Sequence, residues 1–259
     1  MIAKAGMRKD KPGPADVDPE GDKVSPRAWR AGLCGCLAEC SPEEFPAWLQ
    51  HPEVDLVEWR IDMFAGRYSP EEMRFFLSAL SLRPRLPVIA TNRPLREMGA
   101  FSGREDLRLK MLEEAAKSGA DWIDLEHDAG VDSMAAFREA GAKVLLSWHS
   151  PEGTPGRQIL RAKLKDMSKK GADALKIATL ARSDEDNLRV LELIPMARKQ
   201  FGIDLVAFCM GPAGRWSRVV SIFLGSPWTY AQFAGRSATA PGQLSVPEMR
   251  ELIRRIDGN

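Results

Sequence analysis

The sequence predicts a single (β/α)8 TIM barrel, and two observations favour that fold. After residue 30, short apolar runs alternate with longer amphipathic stretches, eight times over. Such alternation predicts a parallel sheet, and eight repeats in a chain of 259 residues favour a closed barrel over an open doubly wound sheet. No Gly-x-Gly-x-x-Gly follows the first apolar run, which argues against a dinucleotide-binding fold.

The individual elements follow from this alternation and from local end signals. Strands are predicted near 31–37, 54–60, 86–92, 121–126, 142–148, 173–178, 203–210 and 227–231. Helices are predicted near 41–50, 70–82, 103–119, 131–140, 157–170, 184–201, 214–224 and 245–256. Ser41 and Ser69 each precede Pro-Glu-Glu, a pattern typical of a helix start. Helix ends are predicted at Gly119, Gly141, Gly171 and Gly202.

Composition bounds the function classes. The chain has 37 basic and 36 acidic residues, so its charge gives no reason to expect nucleic acid as a partner. It contains no apolar run of the roughly 20 residues that span a bilayer, and its start has no secretory h-region. Residues 1–28 are rich in Lys, Asp, Pro and Gly and are predicted to be a flexible tail before a barrel domain at 29–259.

The cysteines are interpreted as core thiols. Cys34 and Cys36 share one face of an apolar run, Cys40 follows it, and Cys209 is distant in sequence. No second Cys pair or nearby His pair completes a zinc site, so no metal is expected. Reduced cysteines together with the missing secretory signal predict a cytoplasmic protein.

Polar residues recur with period two inside the predicted strands. Glu58, Arg60 and Asp62 share a face, as do Thr91 with Arg93, Asp124 with Glu126, and Ser147 with His149; Lys176 interrupts an apolar run. In a barrel these side chains point inward, near the carboxyl ends of their strands. Active sites of barrels lie at that rim.

Lys176 and His149 indicate amine chemistry on a carbonyl. A buried lysine is costly unless it is paired or used, so Lys176 is a candidate Schiff-base nucleophile and His149 a candidate proton shuttle. The alternatives are an interior lysine paired with Asp124 or Glu126, and an ordinary hydrogen-bonded histidine. The other two histidines, His51 and His127, are interpreted as surface or structural.

Several further residues have both a functional and an ordinary interpretation. Arg60 and Arg93 lie at strand ends on the inward face, which favours contact with an anion or a hydroxyl. Arg218 follows Gly211 and Gly214, which are equally consistent with a phosphate-binding loop and with a structural turn. Glu97, taken alone, is a solvated loop carboxylate. The loop near 234–243 is predicted to be a lid over the barrel mouth.

Taken together, the motifs resemble type I 3-dehydroquinate dehydratases. The resemblance covers about residues 31–257 and rests on segments EWRID (58–62), TNRPLREMG (91–99), DWIDLE (121–126), SWH (147–149), GADALKIA (171–178), MGPAGRWSR (210–218), GSPWTYA (225–231) and TAPGQLSV (239–246). It implies a (β/α)8 lyase of the shikimate pathway, acting in aromatic amino acid biosynthesis. The reaction dehydrates 3-dehydroquinate to 3-dehydroshikimate and needs no cofactor.

The resemblance also implies roles for individual residues. Lys176 would form the Schiff base, His149 would act as general acid and base, and Glu97 would orient His149. Arg218 would hold the substrate carboxylate. The remaining substrate-binding residues would be Glu58, Arg60, Arg93, Thr239 and Gln243. The resemblance is compatible with a homodimer and gives no indication of a membrane or nucleic-acid partner.

The chain departs from the family pattern near the site. Met98 and Gly99 stand where members often have two glycines, Pro151 where several have Phe, Thr239 where the lid has Ser, and Cys36 where some have a first-strand Ser. These changes bear on pocket shape more than on reaction type. Two alternatives remain at this stage: a Schiff-base class I aldolase acting on a small sugar, and a non-catalytic barrel binding module.

Overall fold

The computed structural model describes residues 31–130 and 132–258 of the chain. The predicted tail at 1–28 lies outside the described residues. No helix within the described ranges combines the length and apolar character needed to cross a membrane.

Eight parallel strands form the sheet, as predicted. They are β1 (Gly32–Leu37), β2 (Leu56–Arg60), β3 (Val88–Thr91), β4 (Trp122–Glu126), β5 (Lys143–Ser150), β6 (Ala174–Leu180), β7 (Leu205–Met210) and β8 (Trp228–Gln232). Each strand from β1 to β6 pairs with the next, and β1 also pairs with β8. The order β7-β6-β5-β4-β3-β2-β1-β8 is that of a nearly closed barrel, so the predicted TIM barrel is confirmed.

The helices alternate with the strands. They are α1 (Phe45–Trp48), α2 (Ile61–Phe64), α3 (Pro70–Ala79), α4 (Glu105–Lys117), α5 (Asp132–Glu139), α6 (Arg157–Ser168), α7 (Asp184–Leu191), α8 (Leu193–Met196), α9 (Arg215–Phe223) and α10 (Val246–Asp257). Short 3-10 turns occupy Leu95–Glu97 and Pro212–Gly214, and a π turn occupies Ala197–Phe201.

Two predicted helices differ from the observed ones. The helix expected over 184–201 is divided into α7, α8 and the π turn, since Pro195 lies within α8 and has no amide hydrogen to donate. The helix expected over 41–50 is reduced to α1. There Ser41 and Glu44 exchange side-chain-to-backbone hydrogen bonds around a turn before α1 begins.

The predicted end signals act as expected at α3 and at the helix ends. Ser69 and Glu72 form a reciprocal capping box at the start of α3. Gly119, Gly141, Gly171 and Gly202 all have positive φ, the backbone region that glycine enters without steric penalty.

The core has two apolar layers that follow strand parity. Outward side chains such as Val57, Trp59 and Leu146 pack under the helices. Inward side chains toward the amino ends of the strands, including Leu56, Ile89 and Leu145, fill the barrel interior. Because the inward polar residues come later in their strands, the charges collect at the carboxyl-terminal rim.

Candidate active site

One cavity at the carboxyl ends of the strands gathers every residue that the sequence placed in the site. The cavity is lined by Lys176, His149, Glu97, Glu58, Arg60, Arg93, Arg218, Thr239 and Gln243, together with apolar neighbours. These residues come from strands β2, β5 and β6, from the segments that follow β3 and β8, and from helix α9. Their meeting at one mouth follows from inward parity and from the parallel direction of the strands.

Lys176 projects from β6 into this cavity and is 5% exposed. Its Nζ donates to Oδ2 of Asp124 at 3.0 Å and lies 3.7 Å from Oε1 of Glu58. It also lies 4.3 Å from the centroid of the Tyr230 ring, a cation–π distance. Pairing with Asp124, the ordinary interpretation of this lysine, is therefore present in the structure, and the same nitrogen also faces the cavity.

His149, on the neighbouring strand β5, and Glu97 form a pair that also lines the cavity. Nδ1 of His149 lies 2.8 Å from Oε2 of Glu97. Burial lowers the pKa of His149 well below its ordinary value, and the cationic Arg93 and Lys176 lower it further. Burial raises the pKa of Glu97 to about 7, although Arg93 opposes that shift. The imidazole is therefore neutral near neutral pH and can accept a proton.

The loop that carries Glu97 depends on an unusual backbone. Met98 has a φ of 63°, a conformation that side chains with a Cβ adopt at a cost. A Cβ on Gly99 would lie 1.9 Å from the carbonyl oxygen of Arg93. This close approach requires glycine at position 99. At position 98 the positive φ is one that glycine would adopt at less cost than the Met98 of this chain.

Arg93 organises the carboxylates of β4 behind the site. Its guanidinium lies 2.6 Å from Asp124 and 2.6 Å from Glu126, and it donates to Oγ of Ser147 at 2.7 Å. Burial alone would raise the pKa of Asp124, but Arg93 and Lys176 lower it below its ordinary value. Asp124 therefore remains ionised beside Lys176.

Arg218 differs from Arg93 because no carboxylate among the described residues pairs with it. Its guanidinium carbon lies 4.3 Å from the centroid of Phe208, and its Nη2 donates to the backbone oxygen of Pro241 at 3.4 Å. Its buried Nε has no hydrogen-bond partner among the described residues. Burial lowers the pKa of Arg218 to about 10. A buried cation without an anionic partner is destabilising, and the arrangement provides a site for an anion brought by a ligand.

The loop between β8 and α10 contributes one side of the cavity. Arg60 donates to the backbone oxygen of Thr239 at 3.3 Å. Gln243 accepts from the Thr239 amide at 2.9 Å and donates to Sγ of Cys36 at 3.0 Å. The amide of Gly211 donates to the oxygen of Pro241 at 3.0 Å. These contacts hold the predicted lid segment against the rim of the barrel.

The glycines near Arg218 serve close packing. The Gly211 amide is taken by Pro241, and the Gly214 amide donates to the oxygen of Gly211 at 3.0 Å. A Cβ on Gly214 would lie 2.6 Å from the backbone of Cys209. Amides that are already paired cannot hold a phosphate, so nothing at this loop supports the aldolase alternative.

All four cysteines are free and buried, as predicted. Burial raises the pKa of Cys40 to about 12, so its thiol stays protonated. Cys36 has a second role that was not predicted, because it contacts Gln243 at the cavity wall.

Comparison with known proteins decides the family. The family model described as "Type I 3-dehydroquinase" matches residues 34–259. The chain belongs to the type I 3-dehydroquinase family. It is accordingly an enzyme, a hydro-lyase, as the sequence predicted. The non-catalytic alternative is not supported.

Relatives and solved structures agree with this family. A 3-dehydroquinate dehydratase of Syntrophobacter fumaroxidans is 48% identical over 86% of this chain and 96% of that protein. One from Desulfotalea psychrophila is 35% identical over 86% of this chain and 97% of that protein. The crystal structure of 3-dehydroquinate dehydratase from Geobacillus kaustophilus has a TM-score of 0.77 at 25% identity, covering 88% of this chain and 92% of that chain.

Two aromatic residues of the cavity were not predicted. Tyr230 lies under Lys176 and Phe208 lies under Arg218. Both have the inward parity of their strands, as Lys176 does, and that alternation is the signal that could have identified them. An aromatic residue in an apolar run is normally assigned to the core, so the sequence alone did not distinguish them from packing residues.

Proposed function

We propose that this chain dehydrates 3-dehydroquinate to 3-dehydroshikimate through an imine on Lys176. The observation that carries the proposal is the sharing of one cavity by Lys176, His149 and Arg218. The first offers an amine, the second a neutral imidazole, and the third a guanidinium that pairs with no carboxylate of the described residues. To dehydrate a β-hydroxy ketone that carries a carboxylate, an enzyme of this kind needs an amine for the ketone, a base for the proton and a cation for the carboxylate.

In the first step, the deprotonated amine of Lys176 attacks the substrate ketone. A carbon–nitrogen bond forms, the carbonyl oxygen takes one proton from the amine and a second from solvent and leaves as water, and an iminium remains. The iminium withdraws electrons from the adjacent carbon, so its proton becomes acidic. Asp124 and Glu58 stand beside the nitrogen, where their negative charges favour the cationic iminium.

His149 then moves the proton. Its Nε2 takes the proton from the carbon beside the iminium, and the electron pair left behind forms an enamine. The enamine returns its electrons as the β-hydroxyl departs, taking the proton from His149 and leaving as water. Hydrolysis of the conjugated imine frees the enone and restores Lys176.

The remaining residues hold the substrate. Arg218 pairs with the carboxylate, and the bidentate geometry of a guanidinium fixes its orientation. Glu58, Arg60, Arg93 and Gln243 present polar atoms to the ring hydroxyls, and Thr239 brings its hydroxyl with the lid. Glu97 orients His149 through the 2.8 Å contact.

Other predictions concern the setting of the enzyme. A cytoplasmic location, the absence of a cofactor, the flexible tail and a homodimer stay predictions, as does the place of the reaction in aromatic amino acid biosynthesis. The interaction with a small-molecule substrate belongs to the proposal above.

Borohydride trapping tests the proposal. The enzyme is incubated with 3-dehydroquinate and sodium borohydride, and the modified peptide is located by mass spectrometry. We expect one adduct, on Lys176, and formation of the conjugated enone in an ultraviolet assay without borohydride. Lys176→Met should fold, form no adduct and give no enone. An adduct elsewhere, or an active Lys176→Met enzyme, would contradict the proposal.

A further inference from the structure

A second histidine stands on the far side of Glu97. Nδ1 of His127 lies 4.0 Å from Oε1 of Glu97, while Oε2 of the same carboxylate faces His149. His127 directly follows β4, and its amide donates to the oxygen of Ser147 at 2.8 Å. Its side chain is 17% exposed. The interpretation of His127 as a surface or structural residue does not account for this position.

Lys163 determines which nitrogen of His127 carries the proton. Nζ of Lys163 lies 2.8 Å from Nε2 of His127. An ammonium has no acceptor capacity, so Nε2 must accept and the neutral ring carries its hydrogen on Nδ1. Within the described residues, this buried Nδ1 has no hydrogen-bond partner. The ring is held further by an edge-on contact with Trp148, at 6.4 Å between centroids.

We propose that His127 is a positioning residue for the Glu97–His149 pair, with its Nδ1–H directed at Oε1 of Glu97 by Lys163. This inference rests on the proposed role of His149 as the base. The positive end of this N–H dipole, held 4.0 Å from Oε1, favours the ionised carboxylate. An ionised Glu97 accepts from Nδ1–H of His149, which leaves Nε2 of His149 free to take the substrate proton.

The charges around both groups are consistent with this assignment. Besides the two histidines, Glu97 is faced by Arg93, Glu126, Asp128 and Asp124. His127 is faced by Lys163, Asp128, Lys170 and Asp166. Burial and Lys163 lower the pKa of His127, so it acts on Glu97 as a neutral donor. Among the groups just named around Glu97, the cation is Arg93, and its Nη1 lies 3.7 Å from Oε2 of Glu97.

A metal ion is a weaker explanation of the same cluster. Glu97, His127 and Asp128 bring one ligand atom each within 4.8 Å of one another. However, Arg96 pairs with Asp128 at 3.1 Å, and Lys163 occupies the second nitrogen of His127. Two cations directly on the candidate ligands disfavour a third positive charge there.

The test is the pH profile of kcat/KM in matched variants. His127→Leu removes the donor, His127→Asn keeps an N–H at the position of Nδ1, and His51→Leu controls for loss of a histidine elsewhere. In His127→Leu we expect the acid limb to move to higher pH by roughly half a unit, since a favourable donor is lost. Activity on that limb should then fall about threefold, with no change on the alkaline plateau.

Further results separate this inference from a structural role and from the proposed function. His127→Asn and His51→Leu should retain the wild-type acid limb. In a Glu97→Gln background, where that limb is expected to be absent, adding His127→Leu should leave the pH profile of kcat/KM unchanged. An acid limb of His127→Leu at the wild-type pH, or an equal loss of kcat/KM at every pH, would overturn the inference. The proposed function would survive either result as long as borohydride still labels Lys176. Failure to label Lys176 in the wild type would instead remove the proposed function, and the inference with it.

Discussion

Oε2 of Glu97 lies 2.8 Å from Nδ1 of His149, and both side chains are at least nine-tenths buried. The shared environment disfavours charge on either partner, so burial raises the pKa of Glu97 and lowers that of His149. As the pH falls, the carboxylate therefore takes up a proton before the imidazole does. The protonation state of Glu97 then controls which nitrogen of His149 is free.

The first prediction follows from the sign of these two shifts. Above its pKa of about 7, Glu97 accepts from Nδ1–H of His149, and Nε2 is free to act as base. Below that pKa, the Glu97 hydroxyl donates to Nδ1, and the ring proton moves to Nε2. We expect kcat/KM, whose pH dependence reports the free enzyme, to fall about tenfold per pH unit below this point. Glu97→Gln should abolish this limb, because an amide does not titrate; a limb that survives would have to be assigned to another group.

The second prediction separates the two chemical steps. His149→Ala should lower kcat by about 10²–10⁴-fold, the usual contribution of a positioned acid–base group. Imine formation on Lys176 should persist, since the amine and its carboxylate neighbours are unchanged. Borohydride labelling measured beside enone formation checks this. Turnover at the wild-type rate would exclude His149 from the proton transfers.

The third prediction concerns the guanidinium of Arg218, which pairs with no carboxylate of the described residues. Arg218→Met should lower kcat/KM, because the buried charge pair between the guanidinium and the substrate carboxylate is lost. The expected loss of binding free energy is about 2–5 kcal/mol. The same change should not lower the free energy of unfolding, since it removes a buried cation without an anionic partner in the described residues. Steady-state kinetics and urea denaturation measure the two effects. A large loss of stability with unchanged KM would show that Arg218 is structural.

Strand parity accounts for how much of the fold and site the sequence could predict. Lys176, His149 and Arg93 were placed on inward faces from alternation alone, and they line one cavity. Barrel closure then brings together residues that are far apart in the chain. The pattern of eight strands carries that information, because consecutive strands of a (β/α)8 barrel lie side by side.

Other features depend on distances that no local pattern contains. The pairing of Lys176 with both Asp124 and Glu58 depends on the register of three strands. The place of His127 beside Glu97 depends on where a 3-10 turn returns toward β4. Loop geometry of this kind is set by tertiary contacts, and a histidine just after a strand carries no signal of its own.

The fourth prediction tests the turn that presents Glu97. Met98 is 40% exposed and has a φ of 63°, so its side chain contributes little burial while the backbone is strained. Met98→Gly should raise the free energy of unfolding by about 1 kcal/mol. Gly99→Ala should lower it by about 1–3 kcal/mol, because the new Cβ meets the Arg93 carbonyl at 1.9 Å. Chemical denaturation distinguishes them, and a destabilised Met98→Gly would show that the Met98 side chain contributes more than its exposure indicates.

The fifth prediction tests what positions the lid segment, by comparing two of its glycines that have the same φ. Gly242 and Gly235 both have a φ of 73°, so alanine strains the backbone similarly at either position. A Cβ on Gly242 would lie 2.2 Å from the carbonyl oxygen of Gly211, whereas a Cβ on Gly235 meets nothing within 4 Å. Only Gly242→Ala should displace the segment that brings Thr239 and Gln243 to the cavity.

We expect kcat/KM to fall about 10²-fold in Gly242→Ala, the effect of misplacing binding groups by about 1 Å, and to change little in Gly235→Ala. Both variants should unfold at similar temperatures, because the barrel itself is untouched. Equal activities in the two variants would show that the contact between Gly242 and Gly211 does not position the lid.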